Sequence, residues 1–173
     1  MTSPPMHLCR LLTLWALALS PCLAQPPVEN TAAPYQGTYL FDMIDSDKPA
    51  QPITPRGVPS YAMAFKQLTK TQSMKERRFV ARLTSGPSTR GVLVQTSLGQ
   101  AVVHTICQAH SCNWVRMGVS YIPESGRMVG LLWDHCELLP LGSPNAEEVT
   151  LLMRLSQMPA DTPENKQQCE RER

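Results

Sequence analysis

The residues best suited to do chemistry in this chain lie together in one short segment, Cys107-Gln108-Ala109-His110-Ser111-Cys112. Two cysteines flank the segment, and an imidazole lies between them. If the cysteines are bridged, they close a ring of six residues, which in the chain-entropy treatment stabilises a fold by only about 2 kcal/mol. Such a bridge is more useful for shaping a loop than for holding a fold together. Because a loop that is shaped in advance loses less entropy on binding, the pattern favours a binding loop that presents His110.

Two other interpretations of this segment remain open at this point. The bridge could be a structural staple of a hairpin, which would leave His110 as a solvated loop residue. Alternatively, the two thiols and the imidazole could bind zinc. The further ligand would then come from His104, His135 or Cys136. Since disulfide formation competes for thiols in an oxidising compartment, we predict no metal site and no cofactor.

Two further groups of residues have types that could do chemistry. Asp134-His135-Cys136 supplies an acid, a base and a nucleophile in sequence. Adjacent residues of a strand point to opposite faces, which is wrong for a catalytic relay. We therefore expect His135 at a strand end or on the surface, Cys136 in a disulfide, and no enzyme activity. Trp114 and Trp133 are expected to pack in the core, with a platform for stacking sugar rings as the alternative.

The N-terminus has the features of an export signal. Residues 11–19 form a short apolar run, and small residues before position 25 provide a cleavage site after Ala24. We predict that residues 1–24 are removed, with a lipoprotein signal ending at Cys22 as the alternative. Four cysteines then remain in residues 25–173. An even number in an exported chain indicates disulfides, with three possible pairings.

The composition argues against two classes of partner. Residues 25–173 carry fifteen basic and fourteen acidic side chains. That balance is too even for a nucleic-acid protein held by phosphate neutralisation. No apolar run reaches the ~20 residues of a membrane span, so stable membrane insertion is not expected.

The remaining pattern predicts a single α+β domain. After Ser60, apolar residues recur at helical spacing at positions 61, 64, 65 and 68. Strand-like alternation follows at about 79–84, 91–97, 100–107, 112–122 and 127–134. In the fourth of these strands the apolar residues share one face, which is typical of an antiparallel sheet with one covered face. Ser143-Pro144 is expected to begin a last helix, so helices flank a central antiparallel sheet.

The two ends of the exported chain are expected to be less regular. Residues 25–37 are rich in proline and resemble a linker, and residues 159–173 form a polar tail that Cys169 could tether.

The cysteine-flanked segment resembles the characteristic loop of the inhibitor-of-vertebrate-lysozyme family. In that family the loop has the form Cys-Lys-Pro-His-Asp-Cys, and here it reads CQAHSC. The resemblance covers about residues 38–158, because further family blocks occur in the same order. These blocks are YLFD at 39–42, YAMAF at 61–65, MVGL at 128–131 and LGSPNA at 141–146.

The resemblance implies a periplasmic protein inhibitor of c-type lysozyme with a protruding loop. In the family the loop enters the enzyme's cleft and its histidine meets the catalytic carboxyl groups. By match to the motif, His110 is the inhibitory residue, and Cys107 and Cys112 form the disulfide that closes the loop. We expect Cys136 and Cys169, which are additions to the family pattern, to form a second disulfide.

The departures from the family motif leave other partners open. Gln108, Ala109 and Ser111 replace a lysine, a proline and an aspartate. The same loop could instead restrain the bacterium's own lytic transglycosylases, or the chain could be a non-inhibitory envelope scaffold with the same fold. Members of the family can form homodimers, and no pattern in this chain decides whether it does.

Overall fold

The computed structural model describes residues 30–44, 52–70, 83, 86–160 and 162–171. The predicted export signal, residues 1–24, lies outside the described residues. So does most of the predicted strand at 79–84, of which only Leu83 is described. Leu83 is buried and helical, so the prediction of a strand is wrong at this residue. Phe79 and Leu83 are four residues apart, which fits a helix as well as a strand.

The core of the fold is a five-stranded antiparallel sheet in which each strand pairs with the next along the chain. This confirms the predicted central antiparallel sheet in an α+β fold. The strands are β1 (Val92–Thr96), β2 (Gly99–Cys107), β3 (Val115–Ile122), β4 (Arg127–Asp134) and β5 (Glu137–Leu141). The first four match predicted strands.

Strand β5 escaped prediction for two physical reasons. It contains Pro140, which cannot donate to a ladder and is confined to edge strands, where β5 lies. The turn before it consists of His135 and Cys136, both with positive φ (43° and 80°). A two-residue hairpin turn with two positive φ angles usually contains Asn-Gly or Asp-Gly, so these two residues give no turn signal.

Helices lie at both ends of the described chain. They are α1 (Leu40–Ile44), α2 (Tyr61–Lys70), α3 (Ala146–Leu155) and α4 (Pro163–Arg171), with a 3-10 turn at Ala33–Tyr35. The predicted helix after Ser60 is confirmed, and its four predicted apolar positions are buried. In the described part of the chain, no helix combines the length and the apolar character that crossing a membrane requires.

Helix α3 begins at a different cap from the one predicted. Ser143 has a φ of 56° and lies outside the helix. Asn145 is the N-cap, and its side chain accepts a hydrogen bond from Glu148 N at 2.9 Å. The Glu148 carboxylate in turn accepts from Asn145 N at 2.8 Å. This reciprocal capping box satisfies two backbone donors, which a serine two residues earlier does not reach.

Both predicted irregular ends contain ordered structure. Within 25–37, the structure describes residues 30–37, of which Ala32 and Tyr35 are buried, so the described residues are not a linker. Within 159–173, the polar residues form α4, and Cys169 is buried and bonded to Cys136. The disulfide holds this helix on the domain. The sequence did not predict the helix, because it contains too few apolar residues to show a helical pattern.

The sheet is covered on both faces, which corrects the expectation of one covered face. Helices α1 and α2 pack on the face of Met117, Val119 and Tyr121. Helix α3 packs on the other face, next to Gly118. A Cβ at Gly118 would lie 2.2 Å from Ser156 Oγ, so glycine is what lets the end of α3 approach the sheet this closely.

Candidate functional site

The predicted binding loop lies at one end of the sheet, where β2 passes into β3. Its cysteines form the expected Cys107–Cys112 disulfide, with a Cα–Cα distance of 4.9 Å. The sequence neighbours Gln108 and Ala109 are half-buried, whereas His110 is exposed. The structure therefore places all six predicted site residues in one closed loop, which we call the 107–112 loop, and presents the imidazole to solvent.

Backbone hydrogen bonds make the loop a defined shape. Gln108 N donates to Val115 O at 3.0 Å, and Ser111 N donates to Gln108 O at 2.9 Å. Val115 N donates to Ser111 O at 2.9 Å. Between these contacts His110 takes a φ of 62°, a left-handed conformation that is uncommon for residues with a side chain. The chain thus reverses at His110 within a network that fixes both sides of the turn.

The loop is also anchored from outside by Arg116. Its Nε donates to Cys112 O at 2.8 Å, while its Nη1 donates to Ser156 O at 3.0 Å and to Gln157 O at 2.9 Å. One guanidinium therefore joins the loop to the end of α3, where a cation is favourably placed against the helix dipole. Burial lowers the pKa of Arg116 below its usual value. Sequence reasoning missed this residue, because its partners are carbonyl groups far along the chain.

A second backbone segment supports the base of the loop. Cys107 N donates to Pro87 O at 3.2 Å. A Cβ at Gly86 would lie 1.8 Å from Cys107 O and 2.9 Å from Ala109 N. Only a residue without a side chain can lie here, so Gly86 sets how closely this segment packs under the loop.

The β4–β5 turn lies beside the loop. His135 N donates to Trp114 O at 2.8 Å, and His135 Nδ1 lies 2.5 Å from Asp134 Oδ1. The expectation that these neighbouring side chains point apart is wrong, since the turn at His135 ends the strand alternation. Cys136 forms the expected disulfide with Cys169, with a Cα–Cα distance of 5.7 Å, so it is not available as a thiol nucleophile.

The residues considered for a zinc cluster are occupied in other ways. All four described cysteines are in disulfides. His104 is fully buried, and both of its ring nitrogens have partners. Within the described ranges, no three His, Cys, Asp or Glu side chains are grouped so that they could hold a metal ion.

His104 instead belongs to a buried polar network that the sequence did not reveal. Tyr61 donates its hydroxyl proton to His104 Nδ1 at 2.9 Å, and His104 Nε2 lies 3.1 Å from Thr38 O. Since a carbonyl only accepts, Nε2 carries the proton of a neutral ring. Burial lowers the pKa of His104 to about 4 and raises the pKa of Tyr61 well above its usual value. The network ties the segment before α1 to α2 and β2.

Comparison of the chain with family models, with curated proteins and with solved structures gives no match. The resemblance to the lysozyme-inhibitor family therefore stays a prediction from the sequence motifs.

Proposed function

We propose that this protein is a periplasmic inhibitor of c-type lysozyme that inserts the 107–112 loop into the enzyme's cleft. The observation that carries the proposal is the exposure of His110 on a disulfide-closed loop at the end of the sheet. A cleft can receive this loop without rearrangement of the sheet, because the loop's own hydrogen bonds fix its shape. The family motifs in the sequence add independent support.

The chemistry of a retaining glycosidase suits a histidine plug. Its two catalytic carboxyl groups lie about 5–5.5 Å apart, one protonated and one ionised. A neutral imidazole donates from one ring nitrogen and accepts at the other, and a cationic imidazole donates from both. Either form of His110 can therefore bind such a pair. A peptide loop contains no glycosidic bond, so it occupies the site without being cleaved.

The departures from the family motif are partly compensated in this fold. The family's proline would stiffen the loop, and Ala109 does not. Here the hydrogen bonds of Gln108 and Ser111, together with the guanidinium of Arg116, supply that rigidity. The missing aspartate has no replacement within the loop, so we expect weaker attraction to a cationic lysozyme than the family motif would give.

The proposal is tested by inhibition of c-type lysozyme in a turbidity assay on bacterial cell walls. His110→Ala should raise the inhibition constant at least tenfold, because it removes the group that binds the carboxyl pair. His135→Ala is the matched control, since it removes a partly exposed imidazole from the neighbouring turn. The control should leave inhibition within about twofold, and both melting temperatures should stay within a few degrees of the wild type.

Other outcomes of the same assay would contradict the proposal. If the wild-type protein at micromolar concentration does not slow lysis, the protein is not a lysozyme inhibitor. Inhibition of a lytic transglycosylase, or a scaffold role, would then replace the proposed function. Inhibition of the transglycosylase is assayed in parallel on peptidoglycan. If inhibition is present but His110→Ala and His135→Ala inhibit alike, another surface binds the enzyme.

A further inference from the structure

An open cavity of about 320 Å³ lies beside the 107–112 loop and has no role in the proposed inhibition. Its walls come from the two residues just before β3, the end of β4, and helix α4 with the residues before it. The lining residues are Asn113, Trp114, Trp133, Pro159, Asn165, Gln168 and Cys169. We call this space the tryptophan cavity. Its volume lies at the lower end of the range typical of small-molecule sites.

The chemistry of the lining is uncharged and mixed. It combines two indole rings with three side-chain amides, and it contains no acidic or basic residue. Phosphate or carboxylate ligands would be left without a counter-charge here. Amides donate and accept hydrogen bonds, and indole rings offer apolar faces with one polar edge. A neutral ligand with apolar faces and several hydroxyl groups matches this combination.

The two tryptophans of the lining differ in how far solvent reaches them. Trp133 is 1 % exposed, and its Nε1 is buried, so a ligand in the cavity does not reach this nitrogen. Trp114, which lines the same cavity, is only half-buried. The Trp114 ring is therefore the aromatic surface that the cavity offers to a ligand.

We propose that the tryptophan cavity binds an uncharged N-acetylated pyranose, as found in the glycan strands of the cell wall. The Trp114 ring stacks against the sugar's C–H face. The acetamido group brings a carbonyl acceptor for the side-chain amide of Asn113, which is exposed in the lining, and a methyl group for the apolar wall. Asn165 already uses its Nδ2 to donate to Ala160 O at 2.8 Å, which leaves its Oδ1 to accept from a sugar hydroxyl. This binding does not depend on lysozyme inhibition.

The test is a titration of the protein alone, without any enzyme, with N-acetylated chitotriose. The indole N–H signals of Trp114 and Trp133 in a ¹H–¹⁵N spectrum are the readout. Both should move saturably, with a dissociation constant of about 1 mM or tighter. Cellotriose is the matched ligand, because it has the same β-1,4 linkage but no acetamido groups. It should bind at least fivefold more weakly.

Variants locate the binding site on the protein. Trp114→Phe keeps an aromatic group in the core but offers a smaller face, and it should weaken chitotriose binding at least threefold. Gln168→Ala should also weaken binding, whereas Gln167→Ala on the same helix, outside the lining, should not. The proposal is overturned if neither indole signal moves at 10 mM chitotriose, if cellotriose binds equally well, or if Gln167→Ala and Gln168→Ala bind alike.

Discussion

Acid should destabilise this fold through His104, and the size of the effect follows from its surroundings. The folded-state pKa of His104 is about 4 because the ring is buried, whereas the unfolded value is about 6.5. Between these values the unfolded chain binds more protons than the folded one. The contribution of the neutral ring is therefore complete above pH 6.5 and is lost as the pH falls towards 4. The loss between pH 7 and pH 4 amounts to about 3 kcal/mol.

The same geometry explains why the folded protein resists protonation. A proton on Nδ1 would face the Tyr61 hydroxyl, which now donates to that nitrogen. The hydroxyl would have to turn and find another acceptor inside the core. Since Nε2 already donates to Thr38 O, the charged ring would gain no new partner in exchange for its lost hydration.

The measurement is urea unfolding of the wild type and of His104→Phe at several pH values from 7 to 4. Phenylalanine has a similar shape but does not titrate. The variant therefore lacks the pH dependence of stability that comes from His104, while the other titratable groups still contribute theirs. The wild type should lose about 3 kcal/mol more than the variant over this range. Equal losses in the two proteins, or a His104 ring that titrates near pH 6.5 in NMR spectra of the folded protein, would refute the reasoning.

Three further changes test how the 107–112 loop and helix α4 are held. Replacing Cys107 and Cys112 together by serine should lower the free energy of unfolding by only about 2 kcal/mol in denaturant. It should weaken inhibition severalfold, because the loop loses its closed shape. A loss of stability without a change in inhibition would contradict this. Replacing Cys136 and Cys169 together by serine should cost about 4 kcal/mol, since a longer segment is released, and a smaller cost than at the first bridge would be contrary to expectation. Arg116→Ala should remove three hydrogen bonds and speed backbone hydrogen exchange in the loop at least tenfold, whereas unchanged exchange would show that the guanidinium does not hold it.

Much of the fold could be predicted from local patterns. The alternation of apolar residues located four of the five strands, and the helical spacing from Tyr61 to Leu68 located α2. These signals depend only on which side chains face the core. The Cys107–Cys112 disulfide was predicted by the resemblance to the family loop, since the count of cysteines alone left three pairings open.

What could not be predicted depends on contacts between distant parts of the chain. Arg116 binds carbonyl groups at the end of α3, and no residue type marks a carbonyl partner. The second face of the sheet is covered because Gly118 allows the end of α3 to approach at Ser156. This contact could not be predicted, because that face of β3 carries polar residues in the sequence. Helix α4 is polar and depends on the bond from Cys169 to a turn 33 residues away.

A structure of the protein bound to c-type lysozyme tests the central claim most directly. The account predicts that the 107–112 loop fills the enzyme's cleft, with the ring nitrogens of His110 about 3 Å from oxygens of the two catalytic carboxyl groups. A complex in which this loop faces solvent and the cleft stays open to substrate would contradict the account.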